Sequence, residues 1–175
     1  MEIVKMGRHE LADLNKVNQP FEIIGKIKPT FADGIWSYTE ELYEQSYTKQ
    51  YPDDTFDSAE SYVDNDDKAV FFAYSGTECI GQIVLRRDWN EYALIELICV
   101  AKAHRGQGVG TELIKTATEW AKNAGLKGLA LETQDNNLLA CRFYAKCGFL
   151  IGAVNTMLYR NFDNDEFAIF WYLRF

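Results

Sequence analysis

Between a nearly continuous apolar run, Tyr92 to Val100, and a helical stretch, Gly106 to Asn123, the chain carries Arg105-Gly106-Gln107-Gly108-Val109-Gly110. The run suits a central strand covered on both faces. In the stretch after it, Val109, Leu113, Ala117 and Trp120 recur at three- and four-residue steps, the period of a buried helix face. A glycine-rich joint from strand into helix also sets up an anion site. The first amides of a helix lack intrahelical partners, the dipole adds partial positive charge there, and glycines let an anion approach closely. Arg105 adds a fixed charge. The loop is not a Walker loop, because no lysine precedes Thr111. Its Gly-x-Gly-x-Gly spacing also departs from the dinucleotide Gly-x-Gly-x-x-Gly. A helix entry serving packing alone would use the same glycines, so the loop by itself leaves both readings open.

The remaining pattern extends the alternation of strand and helix. Glu2 to Met6 reads as a strand and His9 to Lys16 as a short helix. Phe21 to Lys28 reads as a strand ended by Pro29, and Ile35 to Thr39 as its hairpin partner across the turn Ala32-Asp33-Gly34. Glu40 to Tyr51 is ambiguous between helix and extended chain. Asp57 with Glu60 has the spacing of a helix cap, opening a short helix to Val63. Ala69 to Tyr74, Cys79 to Arg86, Leu129 to Thr133, Phe149 to Asn155 and Ala168 to Leu173 read as strands, with a turn at Asp163-Asn164-Asp165. Asn137 to Cys147 reads as a helix stopped by Gly148, as Gly125 stops the earlier one. The result is an α/β chain of the mixed kind, with a central mixed sheet flanked by helices. At 175 residues it is expected to form a single domain, 1–175.

Net charge is -8 and the sequence pI about 4.8. No basic stripe is present, so nucleic acid is not an expected partner. An acidic surface repels anionic membranes and attracts a small cationic amine or a basic peptide. The four cysteines, Cys79, Cys99, Cys141 and Cys147, lack metal or redox spacing and are expected to be reduced. No metal is expected. The N-terminus lacks the apolar stretch of a signal peptide and no run approaches membrane-spanning length, so a cytoplasmic protein is expected. A homodimer through the aromatic-rich C-terminal strands is left open.

Arg105-x-x-Gly108-x-Gly110 resembles the acetyl-CoA-binding motif of the GNAT N-acetyltransferase superfamily. Downstream, Asn137-x-x-Ala140-x-x-x-Tyr144-x-x-x-Gly148-Phe149 is similar to its second conserved block. The two matches cover about Leu94 to Gly152. Pro20-Phe21-Glu22-Ile23-Ile24-Gly25, Trp36-Ser37-Tyr38-Thr39-Glu40-Glu41, Leu131-Glu132-Thr133-Gln134 and Phe170-Trp171-Tyr172-Leu173 are similar to streptothricin acetyltransferases.

The resemblance implies a GNAT-like fold with a mostly antiparallel sheet, acetyl-CoA as cosubstrate, and direct transfer to a primary amine, on the β-lysine part of the antibiotic in the streptothricin case. It implies that backbone at Ile98, Cys99 and Val100 positions pantetheine. Amides of Arg105, Gly106, Gln107, Gly108, Val109, Gly110 and Thr111 would bind pyrophosphate, with Asn137 bonding the cofactor. Tyr144 matches the general acid, although a phenol on a helix face is otherwise a core aromatic. Glu96, inside an apolar strand, is a candidate base, since a carboxylate there is costly unless paired or functional; Glu132 is a similar case. Trp36, Tyr38 and Glu40 are candidates for the amine-binding surface, where a ring face can hold an ammonium. Tyr43, Tyr47, Glu41, Asp53, Asp54 and Asp57 could add to it, while Trp171 and Tyr172 read as core or interface. Acetylation of a protein lysine, an N-terminus or a polyamine, and a non-catalytic acyl-CoA-binding module, are the alternative readings.

Overall fold

A computed structural model describes residues 1–53, 59–160 and 165–175. In chain order the elements are β1 (Glu2–Lys5), β2 (Phe21–Ala32), β3 (Ile35–Lys49), β4 (Lys68–Ser75), β5 (Glu78–Arg87), β6 (Ala93–Val100), α1 (Val109–Asn123), β7 (Gly128–Gln134), α2 (Leu138–Lys146), β8 (Leu150–Asn155) and β9 (Ala168–Arg174). The expected mixed α/β class with mostly antiparallel pairing is what forms. The chain divides into two compact units, one of Met1–Phe21 with Gln50–Leu129, the other of Glu22–Lys49 with Ala130–Phe175.

In the first unit β1, β4, β5 and β6 lie side by side, each antiparallel to the next. Gly81 on β5 faces α1. A Cβ there would stand 2.9 Å from Val109 Cγ1 and 3.2 Å from Leu113 Cδ1, so the missing side chain lets the helix sit close. The buried stripe of α1 is Val109, Leu113, Ile114, Ala117 and Ala121; Trp120, expected in it, is half-buried at its edge. A second cluster joins Met6, Tyr62, Val70, Phe72 and Val84. α1 ends in a Schellman motif: Leu126 N–H donates to Ala121 O at 2.9 Å and Gly125 N–H to Lys122 O at 3.0 Å, with Gly125 at φ +71°.

In the second unit β8 and β9 pair antiparallel, and β2 and β3 form a separate two-stranded ribbon. Pro29, expected to end β2, lies inside it. A two-stranded ribbon leaves each strand one open edge, where a missing N–H is tolerated. The ambiguous stretch after Thr39 is strand to Lys49. At Gly25 the ribbon backbones approach so closely that a Cβ would fall 2.3 Å from Glu41 O.

Three other expectations shift. The helix expected from His9 is only a 3-10 turn, Leu11–Asp13. The long helix starts at Val109 and not Gly106, because Gly106 and Gly108 adopt φ of +77° and +89°. Ala59–Tyr62 is a 3-10 turn, while its expected cap Asp57, with Asp54, and the turn residues Asp163 and Asn164 lie outside the described residues.

Candidate active site

The glycine loop of the first unit is built by backbone geometry. β6 carries a bulge: Val84 faces Leu97 while Leu85 faces Ile95, so Glu96 is the extra residue. This corrects the expectation of a carboxylate inside a covered strand. The bulge turns Glu96 outward, where Oε1 accepts from Arg86 Nε at 3.0 Å and Oε2 from Tyr62 OH at 2.7 Å. Nor is β6 covered throughout: Ala93 and Ile95 are buried, but Leu97, Ile98, Cys99 and Val100 are only half-buried.

Beyond β6 the chain makes a 3-10 turn, Lys102–His104, then the loop. Arg105 braces it. Its guanidinium donates to the carbonyls of Val100 at 2.9 Å, Pro20 at 2.9 Å and Gln19 at 3.1 Å. The side chain expected to face an anion therefore ties the loop to the segment ahead of β2. Gln107 Nε2 donates to Ala103 O at 2.8 Å. Gly108 is the N-cap of α1 and offers no side chain to bond the first-turn amides. Among the described residues nothing lies within 4 Å of a Cβ built on Gly106 or Gly108, so there is room beside the loop backbone at both. An N-cap without a capping side chain, the dipole of a 15-residue helix and room at the glycines are the features an anion site requires.

In the second unit, Asn137 caps α2 by accepting from Ala140 N at 3.2 Å. Tyr144 lies one turn from the other end. Its carbonyl accepts from Phe149 N at 3.0 Å, while Gly148, at φ +89°, donates to Ala145 O at 3.0 Å. This Schellman closure brings the Phe149 ring within 5.9 Å of the Tyr144 ring. Phe143 at 5.5 Å and Trp171 at 6.2 Å add to the box, and Tyr144 is buried. The indole N–H of Trp171 is buried with no hydrogen-bond partner among the described residues.

Tyr38 meets Trp171 edge-on at 6.2 Å, and burial, with Glu40 nearby, pushes its phenol pKa up. Glu40, expected on the amine-binding surface, is held by Arg142 through Nε–Oε1 at 3.0 Å and Nη2–Oε2 at 2.5 Å. That pairing lowers its carboxyl pKa. Glu41 is paired with Lys28. Tyr43 and Tyr47 stack on each other. Trp36 rests against Phe31 and lines a cleft of about 440 Å³. Glu132 on β7 accepts from Tyr159 OH at 2.7 Å, and burial pushes its carboxyl pKa up.

The sequence profile of the acetyltransferase (GNAT) family matches residues 36–149. The chain belongs to the GNAT acetyltransferase family. Membership makes it an acetyl-CoA-dependent N-acetyltransferase. This GNAT chain is 52% identical over 174 residues to streptothricin acetyltransferase A of Bacillus subtilis (strain 168), covering 99% of each chain. Among solved structures it is similar to a Bacillus anthracis (strain Ames) protein in complex with acetyl coenzyme A, provisionally named a streptothricin acetyltransferase. The two share 35% identity and a TM-score of 0.92, over 99% of each chain. A nourseothricin acetyltransferase structure shares 26% identity and a TM-score of 0.80, over 99% of this chain and 97% of that one.

In the first unit, Ile98 to Val100 and Arg105 to Thr111 come together along one strand–turn–helix path, with Glu96 at the bulge. In the second, Tyr38 and Tyr144 meet through Trp171, whose expected place in the core or an interface is met by its burial in the core. Asp135 and Asn136, both buried, were missed. The signal was present: a polar run, Asp135-Asn136-Asn137, stands directly between a strand and a helix. Among the described residues no group of three or more His, Cys, Asp or Glu side chains is placed to hold a metal ion, and no helix is long and apolar enough to cross a membrane.

Proposed function

We propose that this GNAT acetyltransferase transfers the acetyl group of acetyl-CoA to a primary amine of streptothricin, with residues 1–175 working as one catalytic domain. The observation that carries the reading is 52% identity to a streptothricin acetyltransferase along 99% of both chains. The complex of the Bacillus anthracis relative with acetyl coenzyme A supports the cosubstrate. Cys79, Cys141 and Cys147 are free thiols, which supports a reducing compartment, the cytoplasm.

In this reading the amides from Gly106 to Thr111 hold the diphosphate, and Arg105 keeps the loop in shape. Backbone at Ile98, Cys99 and Val100 lies along pantetheine and polarises the thioester carbonyl. Asn137 bonds the cofactor with the part of its side chain that the cap leaves over. The acceptor amine attacks the carbonyl carbon, the C–S bond breaks, and Tyr144 gives its hydroxyl proton to the leaving thiolate. The proton lost by the ammonium passes to Glu96, whose charge Arg86 and Tyr62 hold in place. Trp36 and Tyr38 face the acceptor, and Glu40 fixes the ribbon through Arg142.

The test is incubation with acetyl-CoA and streptothricin. Release of free thiol with one acetyl mass added to the antibiotic is the expected result. Absence of turnover with streptothricin, alongside turnover of a lysine peptide, would reassign the acceptor.

A further inference from the structure

The second unit holds a cleft that no catalytic role explains. Trp36 and Phe167 line it, with Val154 beside them, and Lys26 and Asp135 supply its charges. Asp135 is only 4% exposed. Its Oδ1 accepts from Phe167 N at 3.0 Å, which fixes the carboxylate; burial pushes its pKa up, and the Phe167 N–H and the charge of Lys26 oppose that rise. A buried carboxylate costs free energy unless it is paired or used.

Two independent strand alternations place this cleft on the face that carries Tyr144's aromatic box. On β9, Ile169 and Trp171 are two residues apart and share a face. Val154 of the cleft lies directly opposite Ile169 in the β8–β9 register, so it shares that face as well. On β3, Trp36 and Tyr38 are the half-buried residues between exposed neighbours. Tyr38 rests on Trp171, and Trp171 rests on Tyr144. The cleft therefore opens one two-residue step, about 7 Å, along the strand from Tyr38.

Resting on the reading of streptothricin as acceptor, we propose that this cleft is a specificity subsite for the part of the acceptor remote from the reacting amine, a ring bearing hydroxyl or amide groups. The aromatic wall of Trp36 and Phe167 takes the ring face. Asp135 and Lys26 supply an acceptor and a donor within the one cleft, and hydroxyl and amide groups can use both kinds of partner. Two lone cations would instead suit an anion, but Lys28 at the rim is neutralised by Glu41. Binding remote parts of a substrate raises the rate at the reacting centre. A short amine such as free β-lysine would leave the cleft empty.

The test compares kcat/KM for streptothricin with kcat/KM for free β-lysine in the wild-type protein, Trp36→Ala and Asp135→Asn. Asn keeps an oxygen for Phe167 N–H, so that variant retains the backbone tie. The expected result is that wild type prefers streptothricin, and that each substitution lowers the ratio of the two values about tenfold, the scale of a lost pocket contact. Equal losses on both acceptors, with the ratio unmoved in both variants, overturn the subsite while leaving the acceptor reading intact. Wild-type protein that acetylates β-lysine but not streptothricin overturns the acceptor reading and the subsite with it.

Discussion

The glycine loop and the Tyr144 box meet opposite demands with opposite materials. In the proposed reading the loop works through main-chain amides, and its side chains are occupied elsewhere: Arg105 and Gln107 both donate to nearby carbonyls. In the same reading the box works through one side chain, buried and walled by three rings. A main-chain site is sensitive to added atoms, because a Cβ at a positive-φ glycine strains the backbone and fills the opening. A side-chain site is sensitive to lost atoms, because its group has a single chemical task. Substitutions can separate the two.

The largest effect is expected from Tyr144→Phe. Removing one hydroxyl should lower kcat about 10²–10⁴-fold, the range for a general acid, while calorimetry finds acetyl-CoA affinity within about twofold of wild type. Gly108→Val should do the reverse. Acetyl-CoA binding weakens about tenfold or more, and strain of about 1–3 kcal/mol at a φ of +89° lowers Tm as well. If both variants damage affinity equally, the contrast between the regions collapses. Asn137→Ala sharpens it at intermediate size. Loss of the α2 cap should cost about 1 kcal/mol in denaturant unfolding and reduce kcat more than an equally destabilising change on α1.

The smallest effect concerns pH. Burial raises the Glu132 carboxyl pKa in the folded state. The folded chain then holds that proton more tightly than the unfolded chain. The resulting stability is full below the ordinary glutamate pKa and is lost as pH rises through the folded value. Glu132→Gln removes this loss. Its Tm should exceed that of wild type by about 2 °C at pH 7, with the gap closing toward pH 4.

The sequence revealed these regions unequally. The glycine loop was readable because its chemistry is local: glycines, a helix period and an uncapped start are all contiguous. The start of α1 was misplaced only because the sequence does not state which glycines adopt positive φ. The surroundings of Tyr144 were not readable. Trp171 comes from β9 and Tyr38 from β3, and such long-range contacts leave no periodic trace in either segment. The outward turn of Glu96 was not readable because a bulge is a property of register with β5, and hydrophobic pattern alone cannot reveal it. The extent of β3 followed from pairing in the ribbon, where tertiary context decides between two weak local preferences.

Gly25 carries a lesson for reading other chains of this kind. With 2.3 Å between a hypothetical methyl carbon and Glu41 O, the ribbon can admit hydrogen there and nothing larger without parting its strands. A homologue with alanine at this position must have redrawn the path of the ribbon. Trp36 and Tyr38, on the strand that Gly25 packs against, would then shift with the ribbon, and with them the acceptor surface proposed above.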